Sequence, residues 1–166
     1  TPQLPNPPLS DLPGKWGGTY DGILVSDPNA NAEIDPLGDT SVAFSPAELH
    51  SNINGQYVKL LPNQMMLGHS MERFAMPSDV LGIANGKSTY ARSGVHVLVT
   101  PLEAGWRGEL VVEVTNVTPL PVLVYPKMGI CQILFFVSSS KPEIDYGQRD
   151  GGGKYQGQMG TTVARA

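Results

Sequence analysis

The stretch Gly108-Glu-Leu-Val-Val-Glu-Val-Thr-Asn116 decides the fold class of this chain. Successive side chains of a β-strand point to opposite faces, so Leu110, Val112 and Val114 share one face. That apolar face is typical of a strand packed on a core. Glu113 then lies on the opposite face. The stretch therefore predicts a half-buried strand that carries a glutamate on its second face.

Similar strand patterns recur on both sides of this stretch. Each is short, rich in β-branched or aromatic residues, and bounded by Pro, Gly or Asn. They are Gln56–Leu61, Met65–His69, Arg73–Met76, Gly94–Thr100, Pro121–Tyr125 and Ile130–Val137. The one helical pattern is the brief turn Ser88–Arg92. This spacing predicts an all-β fold, either a distorted β-barrel or a jelly-roll-like sandwich, with one short helix.

The chain divides into three regions by composition. Residues 1–18 are rich in Pro and Gly and read as an N-terminal arm. Residues 19–137 form the predicted β domain, in which 19–55 look irregular, with turn signals at Asp27-Pro28 and Asp35-Pro36. Residues 138–166 are polar and glycine-rich, and we expect a tail that is mobile until it covers a ligand.

Charge and cysteine content exclude several classes of function. The net charge of −4 disfavours non-specific nucleic-acid binding, whereas a few bases in the second part of the chain suit a small anionic ligand. Cys131 is the single cysteine, which is consistent with a reducing compartment. No apolar run approaches a membrane span, and the residues from Thr1 onward lack a signal-peptide pattern. We therefore expect a cytoplasmic protein that binds neither membrane nor nucleic acid.

The stretch GIANGKSTYARSG (Gly82–Gly94) suggests a phosphate-binding turn. The phosphate loop of ATPases needs four residues between its first Gly and the Gly-Lys pair, but only three intervene here. A different geometry remains possible, in which Lys87, Ser88 and Thr89 bind phosphate at the start of a short helix and Arg92 reaches the same ligand. The alternative is a solvated turn.

Two further features have both an ordinary and a functional interpretation. Glu113 is either a solvated glutamate or a carboxylate in a pocket wall, where desolvation raises its pKa toward general-base duty. The segment Gly151–Gly160 is either a flexible linker or a lid. In a lid, Lys154 would supply charge to phosphate, while Tyr155 and the two glutamines pack or form hydrogen bonds.

Three long segments of the chain carry further ordered motifs. They read LPNQMMLGHSMERFAMPSDVLGIANGKSTYARSG (61–94), VTPLEAGWRGELVVEVTNVTPLPVLVYPKMGICQILFF (99–136) and GGGKYQGQMGTTVARA (151–166). Together they resemble the dCTP deaminases of the trimeric dUTPase superfamily. In this superfamily simple dUTPases carry an apolar residue three places before the strand's Asn, where deaminases carry the catalytic glutamate. Glu113 precedes Asn116 by three places, so the resemblance favours a deaminase.

The resemblance implies roles for ten residues. The catalytic positions are Glu113, Arg92 and Ser88. The nucleotide-binding positions are Lys87, Ser88, Thr89, Arg92, Glu103, Gln132, Tyr146, Lys154 and Gln158. Lys87, Ser88 and Thr89 match the phosphate-binding turn, and Glu103 stands where many relatives have an aspartate near the sugar 3′-hydroxyl. Tyr146, Lys154 and Gln158 match tail residues that grip the triphosphate, and Gln132 matches a motif position whose role stays open.

The function implied by the resemblance is zinc-independent hydrolysis of dCTP to dUTP and ammonia, which supplies dUTP and dUMP for thymidylate synthesis. Zinc deaminases carry His-x-Glu and Pro-Cys-x-x-Cys, and this chain has neither. Glu113 would then activate water, with Arg92, Ser88 and backbone groups of Val99–Pro101 holding it. The resemblance also implies a homotrimer with shared sites and Mg²⁺ on the triphosphate, and dTTP is a candidate inhibitor.

Three alternatives stay open. A bifunctional dCTP deaminase/dUTP diphosphatase would use nearly the same residues and release dUMP. A simple dUTPase is disfavoured by Glu113. A non-catalytic nucleotide-binding regulator of the same fold is suggested by the stretch at Tyr20-Asp21, because Ile23 stands where the family has an Arg.

Overall fold

The computed structural model describes residues 23–26 and 44–164. The predicted arm at 1–18, the Tyr20-Asp21 stretch and both Asp-Pro turns lie outside these residues. The described residues form ten strands and one helix: β1 Leu24–Ser26, β2 Phe44–Pro46, β3 Leu49–Asn52, β4 Gly55–Leu60, β5 Met65–Ala75, β6 Val80–Gly86, α1 Ser88–Ala91, β7 Val95–Leu98, β8 Arg107–Asn116, β9 Val122–Val124 and β10 Cys131–Val137. The prediction of an all-β fold with one short helix is confirmed.

The strands form three sheets. The largest has the order β2-β1-β5-β8-β7, a second contains β3-β4-β9, and β10 pairs with β6. Each pair of neighbouring strands is antiparallel. Across the described residues, no helix has both the length and the apolar character needed to span a membrane.

Strand β8 places the core on one face and the candidate site on the other. Leu110, Val112 and Val114 are buried, with Val114 only 1% exposed, and they belong to the main hydrophobic cluster. Full burial of a side chain of this size stabilises the fold by about 1.5–3 kcal/mol. The alternation read from the sequence is therefore present, and Glu113 lies on the second face with part of its surface exposed.

The two strands predicted at Met65–His69 and Arg73–Met76 are one strand, β5, interrupted by a bulge. Its pairing with β8 shifts register between His69 and Arg73. Ser70 lies in the bulge, where its hydroxyl accepts from the Leu110 N–H at 2.9 Å and donates to the Glu72 carbonyl at 2.6 Å. The serine side chain thus replaces ladder bonds that the bulge removes.

Residues 80–86 were not predicted as a strand, because VLGIANG contains two glycines and an asparagine, which are signals for turns. The structure corrects this: β6 pairs with β10 along its whole length, from Val80↔Val137 to Gly86↔Cys131. Gly82 also exchanges backbone hydrogen bonds with Leu102. Pairing on both sides therefore overrides a weak local preference. The interpretation of 19–55 as irregular is likewise wrong where the structure describes it, since β1, β2 and β3 lie there.

The predicted helical turn is confirmed as α1, which ends one residue earlier than expected. It begins after Lys87, whose backbone N–H donates to the Ile130 carbonyl at 2.9 Å. Tyr90 is the buried residue of this helix, and its hydroxyl accepts from the Tyr125 N–H at 3.2 Å. Gly94, with φ of +72°, ends the turn in a conformation that favours glycine. The helix is therefore anchored from both ends.

The described part of the tail packs against the start of β8. Short 3₁₀ turns at Tyr146–Gln148 and Asp150–Gly152 lead into it. The Trp106 indole N–H donates to the Tyr155 carbonyl at 3.0 Å, and the Tyr155 N–H donates to the Tyr146 hydroxyl at 2.9 Å. The tail, which we expected to be mobile without ligand, thus makes specific contacts with its own domain.

Candidate active site

A cavity of about 660 Å³ lies between the second face of β8 and the tail. Glu113 from β8 lies in its wall, and Leu67 from β5 lines it from the neighbouring strand. The segment after β7 contributes Thr100 and Pro101. Tail residues that line it include Tyr155, Gln158 and Thr162. The cavity is therefore built from sheet, loop and tail, and its described walls are mostly apolar.

Glu113 is the carboxylate best placed for chemistry. It pairs with Leu67 of β5 on one side and with Leu98 of β7 on the other, so its backbone is held at both edges. Its Oε2 atom is buried and finds no hydrogen-bond partner among the described residues. Desolvation by burial raises the pKa of this carboxyl above its usual range, with its own backbone N–H acting weakly in the opposite direction. The arrangement favours the protonated form of this carboxyl more than an exposed glutamate would.

Glu103 and Tyr146 also line the cavity, and one arginine connects them. The Arg149 guanidinium makes two hydrogen bonds to the Glu103 carboxylate, at 2.6 and 3.1 Å. It also lies over the Tyr146 ring, 4.8 Å from its centroid. The paired geometry fixes the orientation of the Glu103 carboxylate at the cavity rim.

The tail lies along the edge of β8 through its two glutamines. The Gln156 side chain accepts from the Arg107 N–H at 2.9 Å and donates to the Gly105 carbonyl at 3.1 Å. Gln158 donates to the Glu109 carbonyl at 2.8 Å and lines the cavity. The expectation that Tyr155 and both glutamines pack or form hydrogen bonds agrees with these contacts. Lys154 is exposed and does not line this cavity.

The structure does not bring the other predicted residues to Glu113 within one chain. Lys87, Ser88, Thr89 and Arg92 are exposed at α1, and none of them lines the cavity. Helix α1 comes just before β7, whose first residue, Val95, pairs with Asn116 of β8. Asn116 lies three residues from Glu113 along β8. At roughly 3.3 Å per residue, the start of β7 is already about 10 Å from the position of Glu113, and helix α1 lies beyond it.

Gln132 lies elsewhere, on β10. Its backbone pairs with that of Asn85 on β6, its side chain is exposed, and it does not line the cavity of Glu113. The structure thus gathers Glu113, Glu103, Tyr146 and Gln158 around one cavity and leaves Gln132 apart from them.

Sequence reasoning missed Arg149 and Glu109 as residues that shape this site. Arg149 binds Glu103 across 46 residues of sequence, and Glu109 binds the tail across 51 residues. No local pattern reports such distant pairs. Two features of the sequence could have indicated the first pair. Position 103 holds a Glu where many relatives have an aspartate, and the glycine-rich tail contains an arginine, Arg149.

The described residues contain no group of three or more His, Cys, Asp or Glu side chains arranged to hold a metal ion. His50, His69, His96 and Cys131 all lie in the described part of the chain.

Fold and site together define an all-β protein whose cavity holds one desolvated carboxylate and a glutamine- and tyrosine-bearing tail. A family model described as dCTP deaminase-like matches residues 18–138. The chain belongs to this dCTP deaminase-like family, which confirms the resemblance seen in the sequence.

Individual relatives agree with this assignment. The chain is 44% identical over 115 residues to the dCTP deaminase of Laribacter hongkongensis (strain HLHK9), covering 69% of this chain and 60% of that protein. It is 49% identical over 104 residues to the dCTP deaminase of Erythrobacter litoralis (strain HTCC2594), covering 63% and 55%. It is 40% identical over 146 residues to the dCTP deaminase of Granulibacter bethesdensis (strain ATCC BAA-1260 / CGDNIH1), covering 88% and 78%. The matches span less than two thirds of the length of the first two relatives.

Proposed function

We propose that this chain carries out the hydrolytic deamination of dCTP to dUTP and ammonia. The observation that carries the proposal is the Glu113 carboxylate, which lies in the cavity wall with a buried, unpaired oxygen and a raised pKa. Relatives that share this family are named dCTP deaminases. A general base of this kind works best when its pKa approaches the operating pH.

In the proposed reaction the same carboxylate, that of Glu113, carries out every proton transfer. Glu113 takes a proton from water as the water oxygen bonds to C4 of cytosine, and it returns that proton to N3. The second proton of the water then passes through Glu113 to the amino group, the C4–N bond breaks, and ammonia leaves. The N3 proton and the C4 carbonyl remain in the uracil product, so the atoms balance without zinc.

Completion of the site by a second subunit is part of the proposal. Ser88 and Arg92 are exposed on α1 and do not line the Glu113 cavity of their own chain. On β10, Leu134, Phe135, Phe136 and Val137 are exposed on the described surface, a contiguous apolar run typical of an interface. A homotrimer would cover such a surface and supply Ser88 and Arg92 of one subunit to Glu113 of another, where they would hold the water and the tetrahedral intermediate.

The triphosphate would be held by Lys87, Lys154 and a Mg²⁺ ion. Two lysines do not balance its charge, and Mg²⁺ favours phosphate oxygens and water over protein cages. Mg²⁺ would neutralise phosphate charge, while the residues of the chain bind and orient the nucleotide. Inhibition by dTTP is part of the same proposal.

Product analysis tests this function directly. The chain is incubated with dCTP and Mg²⁺, ammonia is measured, and the nucleotides are resolved. Accumulation of dUTP supports the proposal, whereas dUMP with pyrophosphate would assign the bifunctional reaction. Tight dCTP binding with no ammonia would instead assign a regulator.

The variant Glu113→Gln tests the role of the carboxylate. It keeps the size of the side chain but cannot accept a proton, so we expect kcat to fall by about 10²–10⁴-fold while dCTP still binds. Glu48→Gln, an exposed acid outside the cavity, is the matched control. A Glu113→Gln enzyme with full activity would refute the assignment.

A further inference from the structure

Glu109 holds the tail at one point through its side chain and at another through its backbone. Its Oε2 atom accepts from the Gly160 N–H at 2.8 Å. Its backbone N–H donates to the Gln158 carbonyl at 2.9 Å, and its carbonyl accepts from the Gln158 side chain at 2.8 Å. The tail is thus fixed at two residues by a single residue of β8.

His69 supports the Glu109 carboxylate from the neighbouring strand. Its Nδ1 atom lies 3.3 Å from Glu109 Oε2 and 3.1 Å from the Ser70 carbonyl oxygen. Both of these partners are acceptors, so a His69 ring with its hydrogen on Nδ1 is the form that donates toward them. The Glu109 side chain is only 17% exposed, and this contact restricts its orientation.

The backbone explains why the tail docks at this place. Strand β7 pairs with β8 only from Val95↔Asn116 to Leu98↔Glu113, which leaves the N-terminal half of β8 with one unpaired edge. The tail occupies that edge: Gln158 forms a parallel bridge with Gly108, and the Gly157 N–H donates to the Arg107 carbonyl at 2.8 Å. The tail therefore extends this edge of the sheet through a single parallel bridge.

The Glu109 bond lies between two parts of the cavity wall. Gln158 and Thr162 both line the cavity, and Gly160 lies midway between them in sequence. Glu109 shares its face of β8 with Glu113, four residues away, which is about 13 Å along a strand. The Glu109–Gly160 bond therefore holds the stretch of tail that joins these two wall residues.

We propose that Glu109 is a positioning residue that holds the tail over the cavity of Glu113, with His69 orienting its carboxylate. The role of the tail in gripping nucleotide rests on the proposed function. The attachment of the tail to Glu109 does not, and it can be measured without substrate.

Three variants and a control test the proposal. Glu109→Ala removes the acceptor, Glu109→Asp keeps the charge but withdraws it from Gly160, and Glu109→Gln keeps an acceptor oxygen of the same reach. Glu48→Ala removes an exposed acid between β2 and β3, outside the cavity and the tail. Hydrogen exchange of the peptide that covers residues 156–164 is measured on each full chain, followed by KM and kcat for dCTP.

We expect exchange in this peptide to be about tenfold faster in Glu109→Ala and Glu109→Asp, as for loss of a charge-assisted hydrogen bond. Glu109→Gln should stay near the parent, and Glu48→Ala should match it. For dCTP, KM should rise about tenfold in the first two variants with little change in kcat, because the tail contributes binding and not proton transfer. If Glu109→Ala does not fold, Glu109→Asp decides.

Parental exchange rates in both Glu109→Ala and Glu109→Asp would overturn the proposal, and so would faster exchange with unchanged KM. The two proposals can fail separately: the parent protein could make no ammonia while the tail of Glu109→Ala still exchanges faster. In that case the deaminase assignment fails and the attachment of the tail by Glu109 stands.

Discussion

Glu113→Gln should make the protein more stable near neutral pH, although it removes the proposed catalytic base. In the folded chain the carboxyl has a buried, unpaired oxygen and a pKa raised by desolvation. A charged carboxylate therefore destabilises the folded state relative to the unfolded one. A neutral amide of the same size is less costly to desolvate.

The magnitude follows from the unpaired acceptor. Leaving a buried polar atom unsatisfied costs about 1–3 kcal/mol, and more when the group is charged. The amide of the variant is equally unpaired, so the substitution removes only the part of this cost that is due to the charge. Because Glu113 keeps part of its surface in solvent, the lower end applies, and we expect a gain of about 1 kcal/mol. For a chain of 166 residues this is a rise in Tm of roughly 2–4 °C.

The stability gained by Glu113→Gln should increase as the pH rises. A raised folded-state pKa means that the folded carboxyl holds its proton more tightly than the unfolded one. Its contribution to the parent's stability is fully present below the unfolded value, near 4.5, and is lost as pH rises through the folded pKa. The advantage of Glu113→Gln should therefore be close to zero at about pH 4 and larger at about pH 8.

Urea unfolding of parent and variant at these two pH values, at one fixed protein concentration, measures the effect. Fixed concentration matters because any assembly of subunits makes stability concentration-dependent. Glu48→Gln, an exposed acid, should show no such gain at either pH. A variant no more stable than the parent at pH ~8, or equally stabilised at both pH values, would refute the reasoning.

Two other substitutions test the packing around the site. Gly108→Ala places a Cβ about 2.9 Å from the Gln158 carbonyl oxygen and should detach the tail, seen as faster proteolysis near residue 158; parental proteolysis would contradict this. Asn116→Ala removes a fully buried side chain that donates to the Leu60 and Leu120 carbonyls. It should lower the free energy of unfolding in urea by about 3 kcal/mol, whereas the exposed control Ser51→Ala should leave it unchanged. A loss below about 1 kcal/mol would argue against it.

The fold could be predicted where local pattern and tertiary pairing agree. Strand β8 reads as a strand because its apolar residues alternate, and the structure buries those residues. Strand β6 could not be predicted, because its pairing with β10 joins residues about 50 apart and overrides its glycines. The bulge in β5 was read as a break, since Ser70 satisfies the ladder through its side chain and not through a turn.

The candidate site divides in the same way. Glu113 could be placed on the second face of its strand from alternation alone, and the tail motif at 154–158 pointed to hydrogen-bonding glutamines. The contact of Arg149 with Glu103 could not be predicted, because the two residues lie 46 apart in the sequence and no local pattern links them. In the proposed trimer, a meeting of Ser88 and Arg92 with Glu113 would depend on the surfaces of neighbouring subunits, which no pattern within one strand encodes.

The position of Glu113 on β8 explains why this carboxyl and the tail meet at one place. Toward the N-terminus of β8, pairing with β7 ends at Glu113. The tail pairs with the same edge of β8 at Gly108. The cavity opens in the interval between these two partners, where β8 has a sheet neighbour only on the β5 side. On the opposite face, buried Val112 and Val114 fix the strand, so Glu113 cannot be turned to the other face of β8 without breaking the sheet. Desolvation of Glu113 is thus imposed by the fold itself, and closure of the interval depends on how firmly the tail is held at its far end.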